Sequence, residues 1–171
     1  MRPTGITRFV ILGAVGFGVG AAITILSMLV PIPLSVLVGG VAGGASLGLA
    51  LKDLRKAAVL AILGALGLAV GIFAALAVGS SFNYSPIPMG AMVGTVVGAV
   101  FLDWRTILAL GMAGAVGFGV GLLAGDLLRA SVPIIRRSII VAGALGGASL
   151  GAALGYLECL TQTESLRPTD R

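Results

Sequence analysis

The chain has 171 residues, of which 58% are hydrophobic and only 10% are charged, and its formal net charge is +5. Soluble domains usually carry about 25% charged residues, so this composition excludes an ordinary soluble fold. The lack of histidine and the single cysteine, Cys159, exclude an intrachain disulfide and a zinc site of the usual Cys/His kind.

Long uncharged runs predict an all-α polytopic membrane protein. The runs from Phe9 to Leu51 and from Ala57 to Leu102 are each about twice as long as the roughly 20 residues that one membrane crossing needs. Each run must therefore fold back as a hairpin, at VPIPLS (30–35) or GSSFNYSPIP (79–88). We predict six transmembrane helices, in chain order 6–30, 34–52, 57–79, 87–103, 106–128 and 134–157.

A glycine-rich pentad recurs in the odd-numbered helices and indicates an internal repeat. GFGVG occupies 16–20 and 117–121, and the related GLAVG occupies 67–71. We interpret the chain as one membrane domain, 1–171, of three tandem glycine-rich helical hairpins, 6–54, 55–104 and 105–158, followed by a polar tail, 159–171. Each repeat has two spans, so the copies point the same way, related by a pseudo-threefold axis along the membrane normal.

Glycines at four-residue spacing predict the faces through which the helices pack. Residues four apart lie on one helix face, and glycine there lets a neighbouring backbone approach closely enough for van der Waals and Cα–H···O contacts. This glycine-zipper pattern offsets the helix propensity that glycine loses, about 1 kcal/mol against alanine. The predicted packing positions are Gly16, Gly20, Gly40, Gly44, Gly48, Gly67, Gly71, Gly90, Gly94, Gly98, Gly117, Gly121, Gly143, Gly147, Gly151 and Gly155.

Charged joints lie between the hairpins. Asp53-Leu54-Arg55 and Asp103-Trp104-Arg105 occupy the same place in successive repeats, and Glu158 ends the third. We expect Asp53 and Asp103 each to face the arginine two positions on. We also expect Glu158 to approach Arg8 and close the ring. Such interfacial pairs add on the order of 0–1 kcal/mol each.

The distribution of basic residues predicts the orientation. With the N-terminus inside, every Lys and Arg except Arg129, Arg136 and Arg137 lies on the inner side, so both termini are expected in the cytoplasm. This rule accounts for the positive charge better than nucleic-acid binding, which needs a solvated basic face. The three exceptions contact either lipid phosphates, which we favour, or an acidic partner. We expect a bacterial cytoplasmic membrane.

The sequence argues against an enzyme and predicts no cofactor. General acid–base catalysis needs a positioned histidine or carboxylate, and all six acidic residues lie at joints, loops or the tail. The intramembrane hydroxyls are expected to bond to a carbonyl one turn earlier. They belong to Thr24, Ser27, Ser46, Thr95 and Ser149. A narrow pore lined by glycine backbone, Ser46 and Ser149 is the alternative.

The glycine-rich stretches 13–20, 64–71 and 114–121 resemble the first helix of the proteolipid ring subunit of rotary ATPases. That family is also built from helical hairpins. Its ion-carrying carboxylate in the middle of the second helix has no counterpart in this chain, and these hairpins are shorter. The resemblance therefore implies a common way of close packing, without ion translocation.

Two functional classes follow from these features. The favoured one is a non-enzymatic structural or accessory subunit that packs within a larger membrane complex, in contact with lipid and with other subunits or copies of itself. Its support is the absence of converging polar residues in the spans. The alternative is a small channel or transporter for a neutral or small solute.

Overall fold

The fold is all-helical, as the apolar runs predict. The computed structural model describes residues 4–26, 32–77, 86–129 and 137–165, and within these ranges it contains six α-helices. Prolines near the starts of α2 and α4 fit the first turn, where an amide hydrogen has no helical partner. The helices are α1 (Thr4–Leu26), α2 (Ile32–Ala50), α3 (Leu54–Ala77), α4 (Pro86–Ala99), α5 (Trp104–Arg129) and α6 (Arg137–Ser165).

Several predicted boundaries differ from the observed ones. The fourth helix ends at Ala99 instead of 103, because Val100, Phe101 and Leu102 form a tight turn. Their backbone amides donate hydrogen bonds to the carbonyls three residues earlier. The sixth helix continues to Ser165, so the first part of the predicted polar tail is helical.

The two joints have the same backbone conformation. Lys52 and Leu102 both adopt the left-handed region, with φ of 58° and 53°, where helices commonly terminate. The next residue in each case, Asp53 or Asp103, accepts the first hydrogen bond of the following helix on its own carbonyl, from Ala57 or Ile107. Each aspartate is therefore the N-cap residue of α3 or α5.

The aspartate side chains cap these helices, which corrects their expected pairing with arginine side chains. Asp53 Oδ1 accepts hydrogen bonds from the amides of Arg55 at 2.9 Å and Lys56 at 3.2 Å. The Asp103 carboxylate accepts hydrogen bonds from the amides of Arg105 and Thr106. It also accepts one from the Thr106 hydroxyl, at 3.0 Å. Sequence spacing gave the right partner residue but the wrong atoms, because an N-cap carboxylate turns toward backbone donors.

The six helices form a closed ring in chain order. Each described helix packs along the next one, and α1 packs against both α2 and α6. Successive helices are antiparallel, so one end of the ring carries the joints 51–53 and 100–103 with the start of α1 and the last turns of α6. We call this the joint end.

Ring closure does not use the expected ion pair. Arg8 Nη2 donates to the carbonyl of Leu49 at 2.9 Å, at the last turn of α2. An Arg8–Glu158 ion pair is not among the contacts of the described residues. The helices α1 and α6 instead meet through their backbones, since the Gly147 position lies against Gly13 and the Gly151 position against Phe9.

Four of the described helices are long and apolar enough to cross a membrane, which is consistent with an integral membrane protein. These segments are Gly5–Ile23, Leu54–Ala77, Trp104–Leu128 and Ile139–Thr161. In the other two helices the apolar part whose side chains are described is shorter, Leu37–Ala50 and Pro86–Ala99. The 14 residues of α4 rise about 21 Å, compared with a hydrocarbon core of about 30 Å, so the sequence overestimated this span.

Large apolar side chains also cover the outside of the ring. The outward faces of α1, α3 and α5 expose aliphatic residues at each turn. A helix that is apolar on all sides is typical of a membrane environment or a large core. The exposed residues include Ile11, Val15, Val19, Ile62, Leu66, Val70, Leu108, Met112, Val116 and Val120.

We predict that the Thr106 hydroxyl controls the ionisation of Asp103. The hydrogen bond from that hydroxyl is the largest cause that lowers the pKa of Asp103, followed by the amides of Thr106 and Arg105. Because the folded pKa is lowered, the stabilisation is present above the ordinary aspartate pKa and is lost as the pH falls through the folded value.

Thr106→Val should raise the pKa of Asp103 toward its ordinary value, whereas Thr106→Ser should keep it low. The measurement is an NMR titration of the Asp103 side-chain carboxyl in micelles. Equal pKa values in the valine and serine variants would contradict this account.

Candidate functional site

The first and last glycines of each pentad on α1, α3 and α5 lie against the following helix. A Cβ atom built on Gly20 would lie 2.7 Å from the carbonyl oxygen of Gly39 on α2. One built on Gly67 would lie 2.7 Å from Val93 Cα, and one on Gly121 would lie 2.5 Å from Ala142 Cα. Real side chains essentially never approach this closely, so glycine is required for these backbone contacts.

The glycine stripes of α2, α4 and α6 also face the following helix around the ring. Gly44 lies against the carbonyl oxygen of Leu60 on α3, and Gly94 lies against that of Leu110 on α5. Gly151 lies against the carbonyl oxygen of Phe9 on α1, which closes the ring. The glycine stripes of α2 and α4 therefore pack against the next helix, and the stripe of α6 packs against α1.

The contact between α6 and α1 is shifted by one helical turn. The recurring GGASLG places Gly44 and Gly147 at equivalent positions. By contacts, however, the counterpart of Gly44 is Gly151, because Phe9 precedes its pentad by the same distance as Leu60. The shift is about 5.4 Å. It explains why the third stripe has an extra glycine, Gly155, whose Cβ position lies 3.1 Å from Ile6 Cα.

Buried residues at corresponding positions of the helix pairs α1–α2, α3–α4 and α5–α6 fill the interior of the ring. Phe17 and Phe118 meet edge to face, with ring centroids 5.9 Å apart. They belong to one buried cluster whose members come from all six helices. Three sets at matching positions are buried: Phe9, Leu60 and Leu110; Phe17, Leu68 and Phe118; and Leu47, Val97 and Leu150.

The middle hairpin divides its side-chain volume between two facing positions differently from the other two hairpins. Phe17 packs over Gly43, whose Cβ position lies 2.5 Å from Phe17 Cδ1, and Phe118 packs over Gly146 in the same way. In the middle hairpin these two positions are Leu68 and Val93, both buried. Leucine plus valine has the same number of side-chain carbons as phenylalanine plus glycine, so the interior is filled equally in all three hairpins.

The described hydroxyls are bonded to helix carbonyls, as predicted for them. Ser46 Oγ donates to Gly43 O at 2.7 Å and Thr95 Oγ1 donates to Met92 O at 2.9 Å. Ser149 Oγ donates to Gly146 O and also to Ala113 O on α5, both at 2.8 Å. The second bond, between helices, was not predicted. The side chains of Thr24 and Ser27 lie outside the described part.

Among the described residues, the charged side chains lie near the ends of the ring. Among residues whose burial is described, Thr106 is the only buried polar or charged side chain. No group of three or more Cys, Asp or Glu that could hold a metal ion occurs in the described residues. The side chains of Arg129 and Arg137, and the whole of Arg136, lie outside the described residues, so their contact with lipid or a partner stays a prediction.

Comparison with protein-family models, curated proteins and solved structures gives no match.

We predict that Phe17→Leu and Gly43→Val compensate each other. Gly43→Val alone places side-chain carbons where the Phe17 ring lies. It should lower the free energy of unfolding by about 1–3 kcal/mol. Phe17→Leu alone leaves a cavity and should lower it by about 1–2 kcal/mol. The double variant reproduces the Leu68–Val93 pair and should lie within about 1 kcal/mol of wild type.

The measurement is reversible unfolding of the four proteins in mixed micelles, read as a double-mutant cycle. Phe118→Leu with Gly146→Val provides a second, independent pair. Strictly additive effects in both cycles would show that these positions do not share one space.

Proposed function

We propose that the chain is a non-enzymatic integral membrane protein that crosses the membrane six times as three tandem helical hairpins. The matching buried positions of the hairpins support this repeat. The proposed symmetry is a pseudo-threefold axis along the membrane normal, and the one-turn shift between α1 and α6 makes it inexact. The short helix α4 packs antiparallel to the long apolar helices α3 and α5, which supports its lying in the same slab of lipid.

The proposed orientation has the joint end and both termini in the cytoplasm. The described part of this end carries Arg8, Lys52, Arg55, Lys56 and Arg105, in agreement with the preference of basic residues for the cytoplasmic side. Trp104 stands beside Arg105 here, with the guanidinium carbon 5.6 Å from its ring centroid. Tryptophan at this depth fits the interfacial region of a bilayer.

The proposed role is that of a structural or accessory subunit in a larger membrane complex. The observation that carries this role is the apolar filling of the ring by Phe17, Phe118 and the leucine layers. A conduction path needs polar or ionisable groups along it, and the described hydroxyls already bond to carbonyls between or within helices. A partner would therefore contact the outer apolar faces of α1, α3 and α5.

Purification from native membranes in a mild detergent tests this role. We expect the epitope-tagged chain to elute at high mass with other membrane polypeptides in fixed stoichiometry. We also expect liposomes that contain the purified chain to be no more permeable to water or glycerol than protein-free liposomes.

Elution as a free chain or homo-oligomer would contradict the accessory role. Glycerol flux that depends on the protein and changes in Ser149→Ala would support the channel alternative instead.

A further inference from the structure

The three corners of the joint end differ chemically, although two of them share the same backbone turn. The first corner, around joint 51–53, contains Arg8, Lys52, Arg55 and Lys56. The second, around joint 100–103, has exposed Leu102 and Trp104 with one cation, Arg105. The third lies on α6 at Tyr156 and Glu158. The basic character of the first corner therefore does not follow from the shared fold.

Arg8 and Lys52 are brought together by one carbonyl group. Leu49 O accepts a hydrogen bond from Lys52 N at 3.0 Å and another from Arg8 Nη2 at 2.9 Å. This carbonyl belongs to the last turn of α2, where the helix dipole favours a cation. The guanidinium from α1 is thus held next to the start of the joint.

The single carboxylate of this corner does not neutralise its cations. Asp53 Oδ1 accepts the amides of Arg55 and Lys56, and no ion pair from Lys52, Arg55 or Lys56 occurs in the part of the chain that the structure describes. The described part of this corner thus has four cations and one capping acid. The side chains of Lys52, Arg55 and Lys56 are exposed, so they are free to bind an anion from outside.

Lys52 lies in the left-handed turn that both joints share, and its side chain is exposed. Its φ of 58° lies in the left-handed region, which glycine and asparagine adopt more readily than other residues. Its exposed ammonium group is available to an anionic ligand.

An apolar side chain stands beside these cations. Leu54 is 79% exposed. It is the first residue of α3, which is long and apolar enough to span a bilayer. Cations next to an exposed apolar residue at the end of such a helix match the boundary between headgroups and acyl chains. This combination favours a lipid over a soluble phosphorylated ligand.

We propose that Arg8, Lys52, Arg55 and Lys56 form a binding site for the phosphate group of an anionic phospholipid in the leaflet at the joint end. The proposal rests on the membrane embedding proposed above, and it is independent of any partner subunit. Each basic residue near an anionic membrane surface contributes about a fivefold gain in affinity.

The test titrates the purified chain in detergent with dioleoyl phosphatidylglycerol or dioleoyl phosphatidylcholine and counts bound lipids by native mass spectrometry. Arg55→Gln is compared with Arg105→Gln, since both arginines follow a capping aspartate by two residues. A triple variant, Lys52→Asn, Arg55→Gln and Lys56→Gln, removes three cations. Asparagine tolerates the left-handed backbone of residue 52. Circular dichroism and size-exclusion profiles establish that each variant is folded.

We expect preferential binding of phosphatidylglycerol, about fivefold weaker in Arg55→Gln, at least tenfold weaker in the triple variant and within twofold of wild type in Arg105→Gln. Equal losses in the two single variants would overturn the proposal, because the effect would then be general surface charge. Competition by millimolar inorganic phosphate at equal strength, or tighter binding of a phosphopeptide, would also overturn it.

Extraction of the chain from membranes by alkaline carbonate would contradict the membrane embedding itself. Failure of the lipid preference in a chain that resists extraction contradicts only the binding site.

Discussion

The close approach of helix backbones at glycine positions is the contact on which the rest of this structure depends. At Gly44, Gly94 and Gly151 a carbonyl oxygen of the next helix occupies the space where a side chain would start. In lipid there is little hydrophobic drive between helices, so van der Waals contact and weak Cα–H···O bonds must supply the association. Short distances between helix axes also let six helices close into a ring without leaving a wide channel.

The remaining features follow from that spacing. A narrow ring leaves an interior that a few large side chains fill, and the exchange of Phe17 and Gly43 for Leu68 and Val93 keeps this filling constant. The two described joints connect α2 to α3 and α4 to α5 with a left-handed residue and a capping aspartate. The scaffold therefore uses apolar and small residues for its own packing, and its distinctive polar chemistry lies at the corners of the joint end.

Much of the fold was predictable because a membrane leaves few alternatives: uncharged runs with turn residues between them gave the six helices. The capping of α3 and α5 by Asp53 and Asp103 was not predicted, because capping depends on backbone dihedral angles that charge spacing does not reveal. Which neighbour each glycine stripe faces was not predictable, since glycine has no side chain whose pattern marks a direction. The pairing of Phe17 with Gly43 could have been found by comparing the hairpins, in which both positions change together.

The most direct test of the central contact compares Gly94→Ala with Gly119→Ala in reversible unfolding in mixed micelles. A methyl group at Gly94 overlaps the carbonyl oxygen of Leu110, whereas at Gly119 its nearest neighbour is Ile87 Cγ1 at 3.5 Å. We predict that Gly94→Ala lowers the free energy of unfolding by about 1–3 kcal/mol and that Gly119→Ala leaves it unchanged or raises it by up to about 1 kcal/mol. Equal effects of the two substitutions would contradict the account, because backbone contact at glycine would then not hold the ring together.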